Sequence, residues 1–153
     1  MLIPLVGRSG KTHLAIALGI KACHAGHRVA FATAADWVTR LADAHHAGRF
    51  AQELTKLSRY PVLIIDEIGY LPFEPEAANL FFQLISSRYE RASVIVTSNK
   101  PFGRWGEVFG DDTVAAAMID RLVHHADIVN IKGDSYRLKN RDLGRIPAAK
   151  NTD

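Results

Sequence analysis

The chain has 153 residues, 48% of them apolar and 23% charged, with 11 glycines and a single cysteine; this suits one folded domain with a real core and excludes disorder, collagen-like repeats and a disulfide scaffold. Nineteen Lys and Arg against 16 Asp and Glu leave a charge of +3, which permits contact with nucleic acid without requiring it. No apolar run approaches the ~20 residues of a membrane helix, residues 1–6 are too short for a secretory signal and lack its basic start, and the lone Cys23 fits a reducing compartment, the cytoplasm.

Apolar runs alternate with longer periodic stretches along the whole length. Residues 2–6 read as a buried strand, which Pro4 weakens by removing a ladder donor. Residues 11–25 read as an Ala- and Leu-rich helix closed by Gly26. A strand over 28–33 follows, then a helix over 35–46 with Trp37, Val38, Leu41 and Ala44 on one face, then a short helix over 50–57. Val62, Leu63, Ile64 and Ile65 run without interruption, the pattern of a strand buried on both faces of a parallel sheet. A helix over 74–89 carries Ala77, Leu80, Phe81, Leu84 and Ile85 as its stripe. Strands over 93–97 and 127–131 flank a helix over 113–125, an edge strand is expected over 135–138, and residues after 141 read as a loose tail. Such alternation indicates an α/β domain with a mostly parallel sheet, which binds ligands at the carboxyl ends of its strands.

The chemistry-bearing motifs sit at those ends. Gly7-Arg8-Ser9-Gly10-Lys11-Thr12 joins the first strand to the first helix and resembles a phosphate-binding P-loop. In such a loop, backbone N–H groups wrap phosphate oxygens at a helix N-terminus, the lysine neutralises charge and the hydroxyl can ligate Mg²⁺. Three residues separate Gly7 from Lys11, whereas the full pattern has five, so the loop is two short. Each lost charge-assisted hydrogen bond is worth roughly 1.5–3 kcal/mol, and losing two weakens nucleotide binding by about a hundredfold or more. Standing alone, the tripeptide before a helix is also compatible with chance.

Val62-Leu63-Ile64-Ile65-Asp66-Glu67 matches a Walker B strand, with Asp66 placed to hold Mg²⁺ and Glu67 to polarise an attacking water. Adjacent carboxylates at the end of an apolar strand need a cation or solvent before them. Val94 to Asn99 is a buried strand ending in polar residues, where the Asn99 amide suits a γ-phosphate or its water and where Ser98-Asn99 equally suits a turn. Arg121 in Ile119-Asp120-Arg121-Leu122 reads from residue physics as a solvated charge, the alternative being a guanidinium supplied to a neighbour's site. Arg88 and Arg91 flank Tyr89; a solvated helix end, DNA phosphate and a neighbouring subunit are the readings open to them. Trp105 either packs its loop on the core or stacks on a base or partner. His45-His46 and His124-His125 lack metal-ligand spacing.

Taken together, residues 10–22, 26–38, 62–91, 96–112 and 116–127 resemble the ATPase domain of IstB-like transposition helper proteins, of the AAA+ class and close to DnaC-type helicase loaders. The resemblance implies an AAA+ core over 1–145 with a five-stranded parallel sheet in the order 5-1-4-3-2, and a loose tail over 146–153. It implies ATP and Mg²⁺ as cofactors, assembly into a homo-oligomer on double-stranded DNA, and a partner transposase. Gly7, Arg8, Ser9, Gly10, Lys11 and Thr12 carry over as the nucleotide loop, Thr12 and Asp66 as the Mg²⁺ side, Glu67 and Asn99 as catalytic groups, and Arg121 as the trans-acting arginine. The family's N-terminal helical segment has no counterpart before Met1. A truncated copy with impaired ATP binding is therefore expected, with weak DNA affinity by itself. A non-catalytic module docking on full-length subunits and a replicative helicase loader are the competing readings.

Overall fold

The computed structural model describes residues 2–7, 10–124, 126 and 128–131, and of 2–7 and 129–131 the backbone. Arg8, Ser9, the expected edge strand at 135–138 and the tail lie outside the described residues. Strands β1 (Leu2–Gly7), β2 (Val29–Thr33), β3 (Val62–Ile68), β4 (Ser93–Ser98) and β5 (Val129–Ile131) form one parallel sheet in the order β2-β3-β4-β1-β5. Pro4 is accommodated because the described ladder to β5 begins only at Leu5, so one flank of β1 carries no pairing at the proline.

The helices are α1 (Lys11–His24), α2 (Ala34–His46), α3 (Phe50–Ser58), α4 (Pro75–Arg88), α5 (Trp105–Phe109) and α6 (Asp112–Val123). The unbroken runs of β3 and β4 serve two cores at once. Leu63, Ile65, Val94 and Val96 pack with Trp37, Leu41, Phe81, Leu84 and Met118 from the helices of one face. Ile64 and Ile95 point the other way, beneath Ala15 of α1. Period-two alternation with both sides apolar is what a central parallel strand requires. Helix α1 lies so close to the sheet that a Cβ on Gly19 stands 2.8 Å from Ile64 Cδ1, and glycine gives the room.

Boundaries follow local chemistry. Thr33 Oγ1 accepts from Asp36 N at 3.1 Å and starts α2, and Pro75 occupies the first turn of α4. Asp111 accepts from Thr113 N and Val114 N at 2.6 and 3.2 Å at the start of α6. The segment 102–109 folds into a 3₁₀ turn (Phe102–Arg104) and α5, neither of which the periodicity foretells. Both exist because Trp105 is sealed in the core, its ring 4.9 Å from Phe102 and 5.7 Å from Phe109, with Nε1 donating to Lys100 O at 3.1 Å. Trp105 is thus a packing residue with no face to offer a base. No helix among the described residues is long and apolar enough to cross a membrane.

Candidate functional site

Strand β3 does not stop before its acids. It continues to Ile68, carrying Asp66 opposite Thr33 of β2, and its register against β4 shifts between Ile65 and Ile68. Asp66 is 2% exposed. Such a carboxylate needs donors, and it has two hydroxyls. Thr12 Oγ1, in the first turn of α1, lies 3.1 and 3.0 Å from Asp66 Oδ1 and Oδ2. Thr97 Oγ1, near the end of β4, donates to Asp66 Oδ1 and accepts the Glu67 N–H at 2.8 Å.

Gly10, left-handed at φ 73°, precedes α1 and gives it no side-chain cap. The first amides of α1 therefore lack a side-chain acceptor, and the positive end of the helix faces the same place as Asp66. Burial pushes the Lys11 ammonium below its ordinary value, while Asp66 and Glu67 pull it back up. Lys11 thus shares a field with both acids.

Glu67 adopts φ 64°, a left-handed backbone that costs a non-glycine residue about 1–3 kcal/mol. The shifted register forces it: the chain turns at Glu67, with Tyr70 N reaching Glu67 O at 3.5 Å, before Ile68 rejoins β4 opposite Ser98. Asn99 is exposed just past β4. Its Oδ1 lies against Gly69, where a Cβ would stand 2.8 Å from it and φ is 98°; a side chain there would be strained and would push the Asn99 amide from its place beside the turn after Glu67.

Lys11, Thr12, Asp66 and Glu67 are therefore brought together, with Asn99 beside them. Gly7 ends β1 opposite Ile131. Thr97 is the member that sequence reasoning passed over; its signal is a hydroxyl in an otherwise branched apolar strand.

Arg121 stands elsewhere. It is exposed on α6, and its guanidinium carbon lies 4.9 Å from the Tyr89 ring centroid. It borders a recess of about 290 Å³ with Arg88, Tyr89, Arg91, Ser93 and Val94. Val94 to Thr97 spans about 10 Å of strand, so Arg121 lies at the opposite end of β4 from Asp66. Arg88 is not part of a solvated helix end, since it is 3% exposed. Its Nη1 donates to Leu57 O at 3.1 Å, and its Nη2 to Tyr60 O and Ser93 O at 2.7 and 3.0 Å. Burial draws its guanidinium down to about 10, so it is charged at neutral pH. His45 and His46 lie 3.5 and 3.1 Å from Glu76 Oε1.

A family model described as IstB-like ATP binding protein matches residues 2–144. The chain is 55% identical over 143 residues to the IS21 insertion-sequence ATP-binding protein of Pseudomonas aeruginosa, covering 94% of this chain and 54% of that one. It is 49% identical over 134 residues to the IS5376 insertion-sequence ATP-binding protein of Geobacillus stearothermophilus, covering 88% and 53%. The chain thus spans about half the length of these curated relatives. Among solved structures, the replication initiator DnaA bound to AMPPCP and single-stranded DNA superposes with a TM-score of 0.72 at 21% identity, over 87% of this chain and 40% of that one. The DnaC helicase loader superposes with 0.68 at 22% identity, over 86% and 78%. The fold is that of the AAA+ P-loop ATPases.

Proposed function

The chain belongs to the family of IstB-like ATP binding proteins, and on that premise we propose that it is the ATP-binding core of an accessory ATPase of insertion-sequence transposition. The observation that carries the reading is the meeting of Thr12, Asp66 and Thr97 beside the uncapped start of α1, with Glu67 held left-handed immediately after. In this reading the loop from Gly7 through Arg8, Ser9 and Gly10 and the Lys11 ammonium bind the ATP phosphates.

A hydroxyl and a carboxylate converging within 3.1 Å are hard oxygen donors of the kind Mg²⁺ takes, so Thr12 and Asp66 fit a magnesium site. Magnesium, when bound, offsets charge on the phosphate oxygens. Thr97 fixes the Asp66 carboxylate and the Glu67 backbone together. Glu67 accepts the proton of the attacking water, and Asn99 orients that water across the Gly69 turn. Arg121, at the wrong end of its own sheet, reaches the γ-phosphate held by a second copy, so the active form is a homo-oligomer. Double-stranded DNA is held through phosphates with steep salt dependence, weakly at the net charge of +3, and a transposase is the protein partner.

The two-residue deficit between Gly7 and Lys11 supports the competing reading of a non-catalytic module. MgATP affinity and turnover separate the two. The enzyme reading expects measurable hydrolysis that Lys11→Ala reduces by about a hundredfold or more, two phosphate contacts' worth. It also expects recovery of activity when Glu67→Gln and Arg121→Ala chains are mixed, since one interface then carries both intact halves. Binding and turnover indifferent to Lys11→Ala support the module instead.

A further inference from the structure

At the end of the sheet remote from Asp66, α4 terminates on a fixed point. The three carbonyls of Leu57, Tyr60 and Ser93 hold Arg88, and they come from the end of α3, the loop after it and the start of β4. Tyr89 follows at once, its N–H donating to Ile85 O at 3.1 Å. Glu90 then turns the chain at φ 57°, a conformation a non-glycine side chain adopts only when its surroundings impose it. The backbone of Tyr89 is thereby set from both sides.

Its ring meets Arg121 of α6 and His124, the residue that caps that helix. The Arg121 guanidinium carbon is 4.9 Å from the ring centroid, and the His124 ring lies edge-on at 5.9 Å. Residues three apart share a helix face, so the Tyr89 ring has a place between them. A contact through the ring face consumes none of the five N–H donors of a guanidinium. Arg121 is held while no acceptor among the described residues takes its donors, and it remains exposed.

We infer that Tyr89 is a positioning residue, presenting the Arg121 guanidinium to the nucleotide bound by a second copy of this chain. The inference rests on the reading of Arg121 as trans-acting. It adds why that arginine is ready: a long side chain at a helix end otherwise samples many rotamers, and the ring face selects among them before the neighbour arrives. Arg88 acts one step further back, as the anchor of the ring.

The test uses the whole chain and four variants: Arg121→Ala, Tyr89→Leu, Tyr89→Phe and the double Tyr89→Leu/Arg121→Ala. MgATP turnover is measured against protein concentration, and MgATP affinity separately. Tyr89→Leu is expected to lower kcat roughly fivefold with KM unchanged, and Tyr89→Phe, which keeps a ring face, to stay within about twofold. In the Arg121→Ala background, Tyr89→Leu should add nothing. Independently of turnover, the Arg121 Nε–H resonance should show a ring-current shift in the parent and Tyr89→Phe chains and lose it in Tyr89→Leu.

Full kcat in Tyr89→Leu beside an impaired Arg121→Ala overturns the role of Tyr89 alone. So does a further loss in the double variant, which marks general damage, or an Arg121 resonance indifferent to the ring. A parent chain without turnover, or an Arg121→Ala chain equal to it, overturns the reading of Arg121 on which the inference stands.

Discussion

Asp66 and Arg88 are each nearly sealed from solvent, at 2% and 3% exposure, and they sit at opposite ends of the same sheet. Their partners differ in kind. Asp66 has hydroxyls from Thr12 and Thr97, side chains that leave carboxylate lone pairs free for a cation. Arg88 has three backbone carbonyls from three places in the fold, and among the described residues no carboxylate pairs with it. A buried charge satisfied by side chains at a strand's carboxyl end can exchange partners during a reaction. A buried guanidinium whose two Nη atoms end on main chain ties segments together, even with its Nε unpartnered among the described residues. Both ends hold a left-handed non-glycine residue, Glu67 beside Asp66 and Glu90 two residues after Arg88, so the contrast lies in the partners of the two charges and not in backbone strain.

The comparison is sharpest under substitution. Arg88→Met removes both donors from three carbonyls at once. Leu57 O keeps the Tyr60 N–H at 3.1 Å, and the expected loss is about 1–3 kcal/mol of unfolding free energy for each carbonyl left without another donor, read from urea midpoints; a loss below about 1 kcal/mol, the scale of a surface pair, breaks the contrast. Thr97→Val keeps the shape of the strand while stripping Asp66 Oδ1 and the Glu67 N–H of one partner each. It should cost about 1–3 kcal/mol and lower turnover as well, because the acid and the turn lose their common support.

Glu67→Gly is expected to go the other way. Relief of the left-handed strain, offset by glycine's chain entropy, should stabilise the fold by about 1 kcal/mol or less while turnover disappears. A destabilised Glu67→Gly chain means that the strain is not stored there. The smallest effect belongs to Asp111, whose carboxyl is held below its usual range by hydrogen bonds from Val114 N and then Thr113 N. A depressed folded pKa gives stability that is present above the unfolded aspartate pKa of about 3.9 and fades as pH falls through the lower folded value. Asp111→Ala should therefore lower the thermal midpoint slightly at neutral pH and lose its effect in acid, measured by thermal melts at pH 7 and pH 2.

Much of this was legible from the residue order. The helix over 11–25, the runs at 62–65 and 93–97 and the stripe Ala77, Leu80, Phe81, Leu84 and Ile85 are strong periodic signals, and elements form there. Their ends were less so. Strand β3 runs three residues past Ile65, because the hydroxyls that let Asp66 stay in the sheet come from residues 54 and 31 positions away. The short α5 was missed because its single cause is the burial of Trp105, which has no period. Arg88 read as solvated because an arginine at a helix end usually is.

The sequence by itself determined the alternation of strands and helices, with Lys11 and Thr12 opening the helix after β1 and Asp66 and Glu67 following the apolar run of β3, since these depend on composition and spacing within a few residues. The tertiary structure alone decided that Thr97 joins them, that Glu67 is turned left-handed, that Arg88 is a buried tie and that Tyr89 lies under Arg121. Each of these involves a contact across about 30 residues, the Arg88 bonds to Leu57 O and Tyr60 O among them, set by strand register and helix docking, and no local pattern of side chains records where two distant segments will meet.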